Sequence, residues 1–542
     1  MEKNALFAIV LSVLIIILYQ TWVSHYYGPP PSPEQQQEEP KKITPSPKPL
    51  RKLPEPKGKI TSTGTQQTVR DIRDIKVDTD RYTAILTNRG ARLKSLLLKQ
   101  YRTSVEEQSP PIEMISSGRG VPYPLGIQFH DPVPFNDEVL VYEFKGHSLR
   151  LTGDAKGTLT FQGQTPRGIT LIKKFTFTGS RYVIDLDVSV GGADDSTPAS
   201  VSLSTGGKNK NLTEDAIFEG LLALVDGKMI RENGEALSEG KNLNGQISWA
   251  GFGYTYFLFA LLPDGEEKQR LRVTPTGPGL LMDLGGQTET DADGKTRYTL
   301  FIGPKDLDVM QTLGRGLERS IDLGWFTFIA APVLHMLRFS HRYTGSYGLD
   351  IILLTILIKL LLAPLTHKSF VSMKAMQKLQ PQMQRIRERF KDQKEKMNKE
   401  IMELYKRNKV NPLGGCLPML LQFPVFIGLY NALRTPIELR HAQFLWIKDL
   451  SRPDWESAML PFPIMGYDVG IPWLVLFMGA SMFVQQWMTP TAGDPNQKRM
   501  MYMMPVIFTV IFVNFPSGLT IYWLVNNVLT IGQQYLINRM TK

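Results

Sequence analysis

The chemistry open to this chain turns on one lysine. Lys359 lies between Ile358 and Leu360 in an apolar run from about Tyr347 to Leu365. An ionised amine there costs several kcal/mol unless it is paired or hydrated. The other four apolar runs of the C-terminal half contain no Asp or Glu, so they offer no intramembrane carboxylate to pair with it. Proton-coupled carriers generally need acidic relays inside their spans, and that absence argues against a solute transporter. What remains is a cation facing a water-filled cavity, with snorkelling to the interface as the competing reading. Polar neighbours are at hand. Thr355 stands one turn before Lys359 on the same face, and Gln422 is mid-run between Pro418 and Pro424. Ser481, Asn526 and Asn527 lie in later runs. Each of these taken singly is equally well read as one half of an interhelical hydrogen bond.

Other chemistries find no residues. A single cysteine, Cys416, excludes an intramolecular disulfide and a Cys-cluster zinc site. The seven histidines are scattered, with no pair at i, i+4. There is no Walker A loop, no GxSxG and no HExxH. Gly251-Phe252-Gly253 is too short for a dinucleotide fingerprint and reads as a strand bend. Asp291 and Asp293 sit in a Gly/Thr-rich turn and read as a solvated loop rather than a catalytic pair. The expectation is a protein that is not an enzyme and needs no cofactor.

The elements that must position Lys359 follow from how the apolar residues are bunched. The chain has 542 residues, 42% of them hydrophobic, with a net charge of +11. Ala5 to Val23 is one nearly unbroken apolar run, with Trp22, Tyr26 and Tyr27 at its end. Bulky residues occupy the place where a signal peptidase would need small ones, so residues 1–27 read as an uncleaved signal anchor. Residues 28–64 form a Pro-rich linker with no means of burying a core. Residues 65–305 change to short alternating strands with frequent turns, which suggests a large β-sandwich. Ile184, Leu186, Val188 and Val190 alternate with Asp185, Asp187 and Ser189, and Leu159 to Phe161 and Ile169 to Phe177 have strand composition.

Residues 306–345 read as amphipathic, interfacial helices. Met310, Leu313, Leu317 and Ile321 recur at helical spacing, and Leu323 to Leu337 is apolar but short and holds Pro332. A full crossing by that second segment is the alternative. Residues 346–542 read as five spans: about Tyr347–Leu365, Leu413–Leu433, Ile471–Met488, Met503–Phe515 and Leu519–Ile537. Pro516-Ser517-Gly518 makes a tight turn between the last two, and the fourth is short enough to need local bilayer thinning.

Charge orients them. Between the first two spans, residues 367–410 hold thirteen basic residues against five acids, which places that loop in the cytoplasm. The Lys498-Arg499 loop and the Arg539/Lys542 tail fall on the same side, the β domain on the other, and both termini in the cytoplasm. Met373, Met376, Met383, Ile386 and Phe390 form one apolar stripe, and Met397, Ile401 and Leu404 another. A turn near Lys391-Asp392-Gln393 would pack them as a helical hairpin. Its cations, among them Lys378, Arg385, Arg387, Arg389, Lys391, Lys394 and Lys396, suit anionic lipid, ribosomal RNA or an acidic partner. A self-packed hairpin with solvated charge is the plainer reading.

Asn411-Pro412-Leu413-Gly414-Gly415-Cys416-Leu417-Pro418, then Gln422-Phe423-Pro424, closely resembles the signature of the YidC/Oxa membrane protein insertases. Pro505-Val506-Ile507-Phe508 and Phe515-Pro516-Ser517-Gly518-Leu519 do likewise, and the whole order of segments is similar to the Gram-negative form. The resemblance implies a polytopic α-helical protein of the bacterial inner membrane with six transmembrane helices, five of them an insertase core, and a periplasmic β-supersandwich. It implies insertion and folding of newly made inner-membrane proteins, alone or with the Sec translocon. Carried over, Lys359 takes the place of a positive residue, often Arg, in a hydrophilic groove that Thr355 and Gln422 also line. Implied partners are nascent membrane proteins, the Sec translocon, the ribosome, the signal recognition particle receptor and anionic lipids. A solute transporter and a membrane-anchored periplasmic carbohydrate-binding or sensing protein stand as alternatives.

Overall fold

A computed structural model of the chain describes residues 71–106, 108–115, 122–129, 134–191, 200–205, 218–265, 268–276, 279–286, 295–391, 393–408, 410, 417–459, 470–489 and 495–540. The anchor at 1–27, the linker at 28–64, the Asp291/Asp293 loop and most of the 411–418 motif lie outside the described residues.

Strands fill the stretch from Asp74 to Pro304. A five-stranded sheet holds the Tyr82–Thr87 and Arg92–Arg102 strands near its middle. A larger fourteen-stranded sheet carries the rest. Alternation builds both: in Val183–Gly191 the side chains of Ile184, Leu186 and Val188 are buried and Asp185, Asp187 and Ser189 are not. The long Lys241–Tyr254 strand is shared between two parts of the larger sheet. Its first half pairs with Lys268–Thr276, its second with Phe218–Val225 and Phe257–Pro263.

The bend expected at Gly251-Phe252-Gly253 is absent. Gly251 pairs with Ala260 and Gly253 with Leu258 in an unbroken ladder. A Cβ on Gly251 would stand 2.1 Å from the Phe259 carbonyl oxygen, so glycine is there for close approach. The irregularity belongs to the facing strand, between Phe218 and Gly220.

One buried strand face carries a lysine. Leu171, Lys173, Phe175 and Phe177 share the buried face of the Thr170–Thr178 strand. The Lys173 ammonium meets Asp137 at 2.6 Å and donates to the carbonyl oxygens of Gly90 and Leu125. Arg92 holds the other Asp137 oxygen at 2.8 Å, and the Tyr142 hydroxyl donates to Asp137 at 3.0 Å. This fully buried cluster ties the smaller sheet to the larger.

Helices follow. The single helix expected across Met310–Ile321 is two pieces, α1 (Leu307–Leu313) and a 3-10 turn at Leu317–Ser320. Gly314, Arg315 and Gly316 between them all have positive φ, which ends the helix. The Leu323–Leu337 segment is α2 (Thr327–Thr344), which runs through Pro332 and stops at Gly345. Ala330, Val333, Leu334 and Leu337 face inward, while Phe328, Met336, Phe339 and Tyr343 are exposed.

The first core span and the first hairpin arm are one helix, α3 (Tyr347–Arg389). After Phe390 comes α4 (Lys394–Arg407), which packs back against α3. Then come α5 (Leu417–Arg434), α6 (Trp473–Met488), α7 (Pro495–Phe512) and α8 (Ser517–Met540). The helix of the fourth run is longer than its apolar part, which stays short: α7 starts eight residues before Met503, because Pro495 suits a first helical turn and the polar residues after it continue the helix. Among the described residues one helix, α3, is both long and apolar enough to cross a membrane, with a shorter apolar stretch at Arg499–Phe512. Leu357, Leu360 and Leu361 on α3, Phe477, Val484 and Trp487 on α6, and Val506 and Val510 on α7 are exposed. So much outward apolar surface suits lipid, not water.

Candidate functional site

The site forms where α3 and α8 run side by side in the same direction. Lys359 faces Asn526, and Thr366, two turns on, faces Gln533; both pairs are 167 residues apart. Their common start is close: Gly518 opens α8 against Ile351, and a Cβ there would stand 3.2 Å from the Ile351 side chain. The turn before it is pinned to the α5–α6 loop, with the Ser517 and Gly518 N–H groups donating to the Arg452 and Leu450 carbonyl oxygens.

Lys359 is half-buried. Its ammonium donates to the Thr530 hydroxyl at 2.6 Å and the Asn526 side-chain oxygen at 3.4 Å. Thr530 in turn donates to the Asn526 carbonyl oxygen. Ile358, Lys359, Leu362, Leu365, Thr366, Gln422, Tyr522 and Asn526 line a cavity at this point. No acid is among them, so the lysine's charge meets only neutral oxygens. Leu360 and Leu361, next along α3, turn 66% and 78% of their surface outward. The cation therefore sits at the border between a cavity of mixed polar and apolar lining and the apolar exterior.

The six residues singled out by sequence divide. Lys359, Gln422 and Asn526 share the cavity wall. Thr355 is buried, and its hydroxyl bonds back to the Ile351 carbonyl of its own helix. Asn527 donates to Ser481 at 3.0 Å, which is an α6–α8 contact on the other side of α8. Successive helical residues point about 100° apart, so adjacent asparagines serve different neighbours. Gln534 repeats the α6 contact one level down, donating to Thr489.

Sequence reasoning missed Thr530, Thr366, Gln533 and Tyr522. A signal was there: Asn526, Thr530 and Gln533 fall at i, i+4 and i+7, one polar stripe along an apolar helix.

In the hairpin, Leu379 and Met383 of α3 bury against Tyr405 of α4, whose hydroxyl reaches the Met383 sulfur at 3.3 Å. Lys378, Arg385, Arg389, Lys391 and Lys396 are exposed and Arg387 is half-buried. The Lys394 side chain lies outside the described residues. Arg407 pairs with Glu403 at 3.1 Å; the six described cations just named have no such partner among the described residues. Nor do those residues include a cluster of three or more acids, histidines or cysteines able to hold a metal.

Comparison with known proteins joins these parts. Residues 74–336 match the YidC periplasmic domain and residues 339–542 match the family described as 60Kd inner membrane protein. The membrane protein insertase YidC of Citrifermentans bemidjiense is 41% identical, over 86% of this chain and 86% of that protein. Its counterpart in Syntrophus aciditrophicus is 38% identical over 99% of this chain and 100% of its own length. A crystal structure of an active YidC insertase aligns at 19% identity and a TM-score of 0.38, covering 86% of this chain and 93% of that one. The chain, an inner-membrane protein with a β-rich periplasmic domain and a helical C-terminal region, belongs to the YidC family of membrane protein insertases.

Proposed function

We propose that the cavity around Lys359 is the groove in which this insertase receives the polar segments of its clients. The observation that carries this reading is a lone cation, unpaired by any acid in the cavity wall and bordered by outward-facing leucines. A polar loop or N-terminal segment exchanges hydration for the oxygens and amides of Asn526, Thr530, Gln422, Thr366 and Gln533, while Lys359 attracts its carboxylates. The apolar segment that follows slides along Leu360 and Leu361 into lipid, driven by burial of its own surface. No nucleotide or metal is required. Rather than touch the client, Ser481 and Asn527 hold α6 to α8, and Thr355 bonds within its own helix.

We read the assembly as six transmembrane helices: an N-terminal anchor at 1–27 and a five-helix core of α3, α5, α6, α7 and α8. The β domain at 65–305 is then a periplasmic supersandwich joined by the linker at 28–64. The segment at 306–345, with the exposed aromatic face of α2, lies along the membrane surface. Both termini and the hairpin at 367–410 are cytoplasmic. The hairpin's cations suit anionic lipid, the ribosome or the signal recognition particle receptor, and the Sec translocon is a second partner in the membrane.

Protease protection tests the groove. A short membrane protein with an acidic translocated loop is synthesised onto liposomes containing only this chain. Protection is expected, and Lys359→Glu should abolish most of it while Lys359→Arg keeps it. Equal protection with Lys359→Glu would sink the charge role. For the hairpin, deleting Lys378 to Lys399 should weaken co-sedimentation with ribosomes; unchanged co-sedimentation counts against that contact.

A further inference from the structure

The β domain carries a second charged feature, well away from Lys359. In the ladder between Lys241–Tyr254 and Lys268–Thr276, Asn242 stands opposite Arg272, Asn244 opposite Arg270 and Gln246 opposite Lys268. Opposed residues share a face, and so do residues at i and i+2. Three cations therefore stand in a row beside three carboxamides. All six are exposed, while the alternate residues Gln269, Leu271 and Val273 are buried. Strand geometry sets the rows about 5 Å apart and the residues within a row about 7 Å apart.

Among the described residues, three acids of the β domain are engaged with other cations. Glu232 holds Lys241, and Asp187 and Asp264 hold Arg297. Among the described residues two acids border the grid: buried Asp283 opposite Arg272 on the far flank, and Asp226, whose carboxylate accepts the Gln246 N–H at 2.9 Å. A solvated strand face ordinarily mixes its charges. Here three like charges are held in register, which costs the fold, and among the described residues none of the three is joined to an acid by an ion pair.

An extended polypeptide matches this spacing. Its same-side residues also recur every 7 Å or so, so carboxylates at i, i+2 and i+4 would meet Lys268, Arg270 and Arg272. A carboxamide both donates and accepts, and so can pair with the peptide groups of such a chain. The grid also lies on a path from the helices. The strand that carries the amides runs on to Tyr254, and Tyr256 just beyond it donates to the Arg434 carbonyl oxygen at the end of α5. Eight strand residues, about 26 Å, separate Gln246 from that junction.

We propose that this face is a holding site for acidic, extended segments of client polypeptides after they reach the periplasmic side. It rests on the insertase reading with the β domain outside, and deepens it.

The test uses the full chain in nanodiscs and a fluorescent peptide of alternating glutamate and serine, read by anisotropy at low and physiological salt. Reversing Lys268, Arg270 and Arg272 together to Glu should weaken binding about tenfold or more. Changing Asn242, Asn244 and Gln246 to Ala, which leaves the charge alone, should weaken it about threefold. The triple Gln variant of the cations serves if the Glu variant fails to fold. Equal binding by the cation variants overturns the proposal. So does tighter binding of heparin than of the peptide, because the face then reads a polyanionic glycan. Liposome insertion of a client with a short loop should be unchanged in these variants, whereas Lys359→Glu should lose insertion and keep peptide binding. The two readings therefore fail separately.

Discussion

Lys359 and its neighbours make the residue-scale claims separable. Thr530→Val removes the closest oxygen to the ammonium and should lower insertion of acidic-loop clients, read by protease protection, with little change in thermal stability. Ser481→Ala should do the reverse. It loses one interhelical hydrogen bond, worth about 0.6 kcal/mol, and leaves insertion intact, because Ser481 faces Asn527 and not the cavity. Glu438, in the α5–α6 loop, offers a pH test. Burial pushes its carboxyl up to about 7, and Asp306 and Asp308 press the same way by sharing Arg338 with it; Tyr101 and Tyr347 also face the site. The folded state then binds the proton more tightly than the unfolded state, so stability falls as pH rises from about 4.5 to about 7. Melting followed across that window should show the decline, and Glu438→Gln should flatten it.

The elements differ from their sequence outlines mainly in where they end. The apolar run from Tyr347 and the basic arm after it look like two units, because the composition changes sharply near His367. Backbone hydrogen bonding ignores that change, and α3 runs through both. Lys359 and the basic arm thus share one continuous helix. The arm's own support is small: Leu379, Met383 and Tyr405 are its buried core. Tyr405→Ala should raise hydrogen exchange across 379–405 while exchange near Lys359 stays slow. Fast exchange at both would mean that the hairpin braces the groove. Of the residues that spacing singled out, Met376, Met383, Ile401 and Leu404 join this core while Met373, Ile386, Phe390 and Met397 are not part of it; Leu379 and Tyr405 were not legible, since a tyrosine in a basic helix reads as surface.

At the scale of the whole molecule the described residues hold two large hydrophobic cores besides the small one of the hairpin. One fills the β domain and takes in Leu307, Met310 and Ile437; the other joins α2, α3, α5, α6, α7 and α8. Separate cores predict separate melting. Asp137→Asn leaves Lys173 and Arg92 short of their buried partner and should destabilise the β domain by about 3–5 kcal/mol. In scanning calorimetry only the β-domain transition should move. A shift of both would show that the cores unfold together.

Sequence by itself determined the apolar runs, the strand alternation, the charge of the hairpin and the solitary lysine whose four companion spans hold no acid. These are local or compositional facts, and solvent or lipid reads them directly. The long 411–418 motif already carried the family. Tertiary structure alone decided which polar residues meet. Asn526 and Asn527 are neighbours in sequence, yet α8 turns one to Lys359 and the other to Ser481. Lys173 sits at a core position that no local rule assigns to lysine, because its partner Asp137 comes from elsewhere in the chain. The cation row of the Lys268–Thr276 strand becomes a grid only when register sets Asn242, Asn244 and Gln246 beside it. Pairing between distant segments depends on helix rotation and strand register, and no local stretch of sequence encodes either.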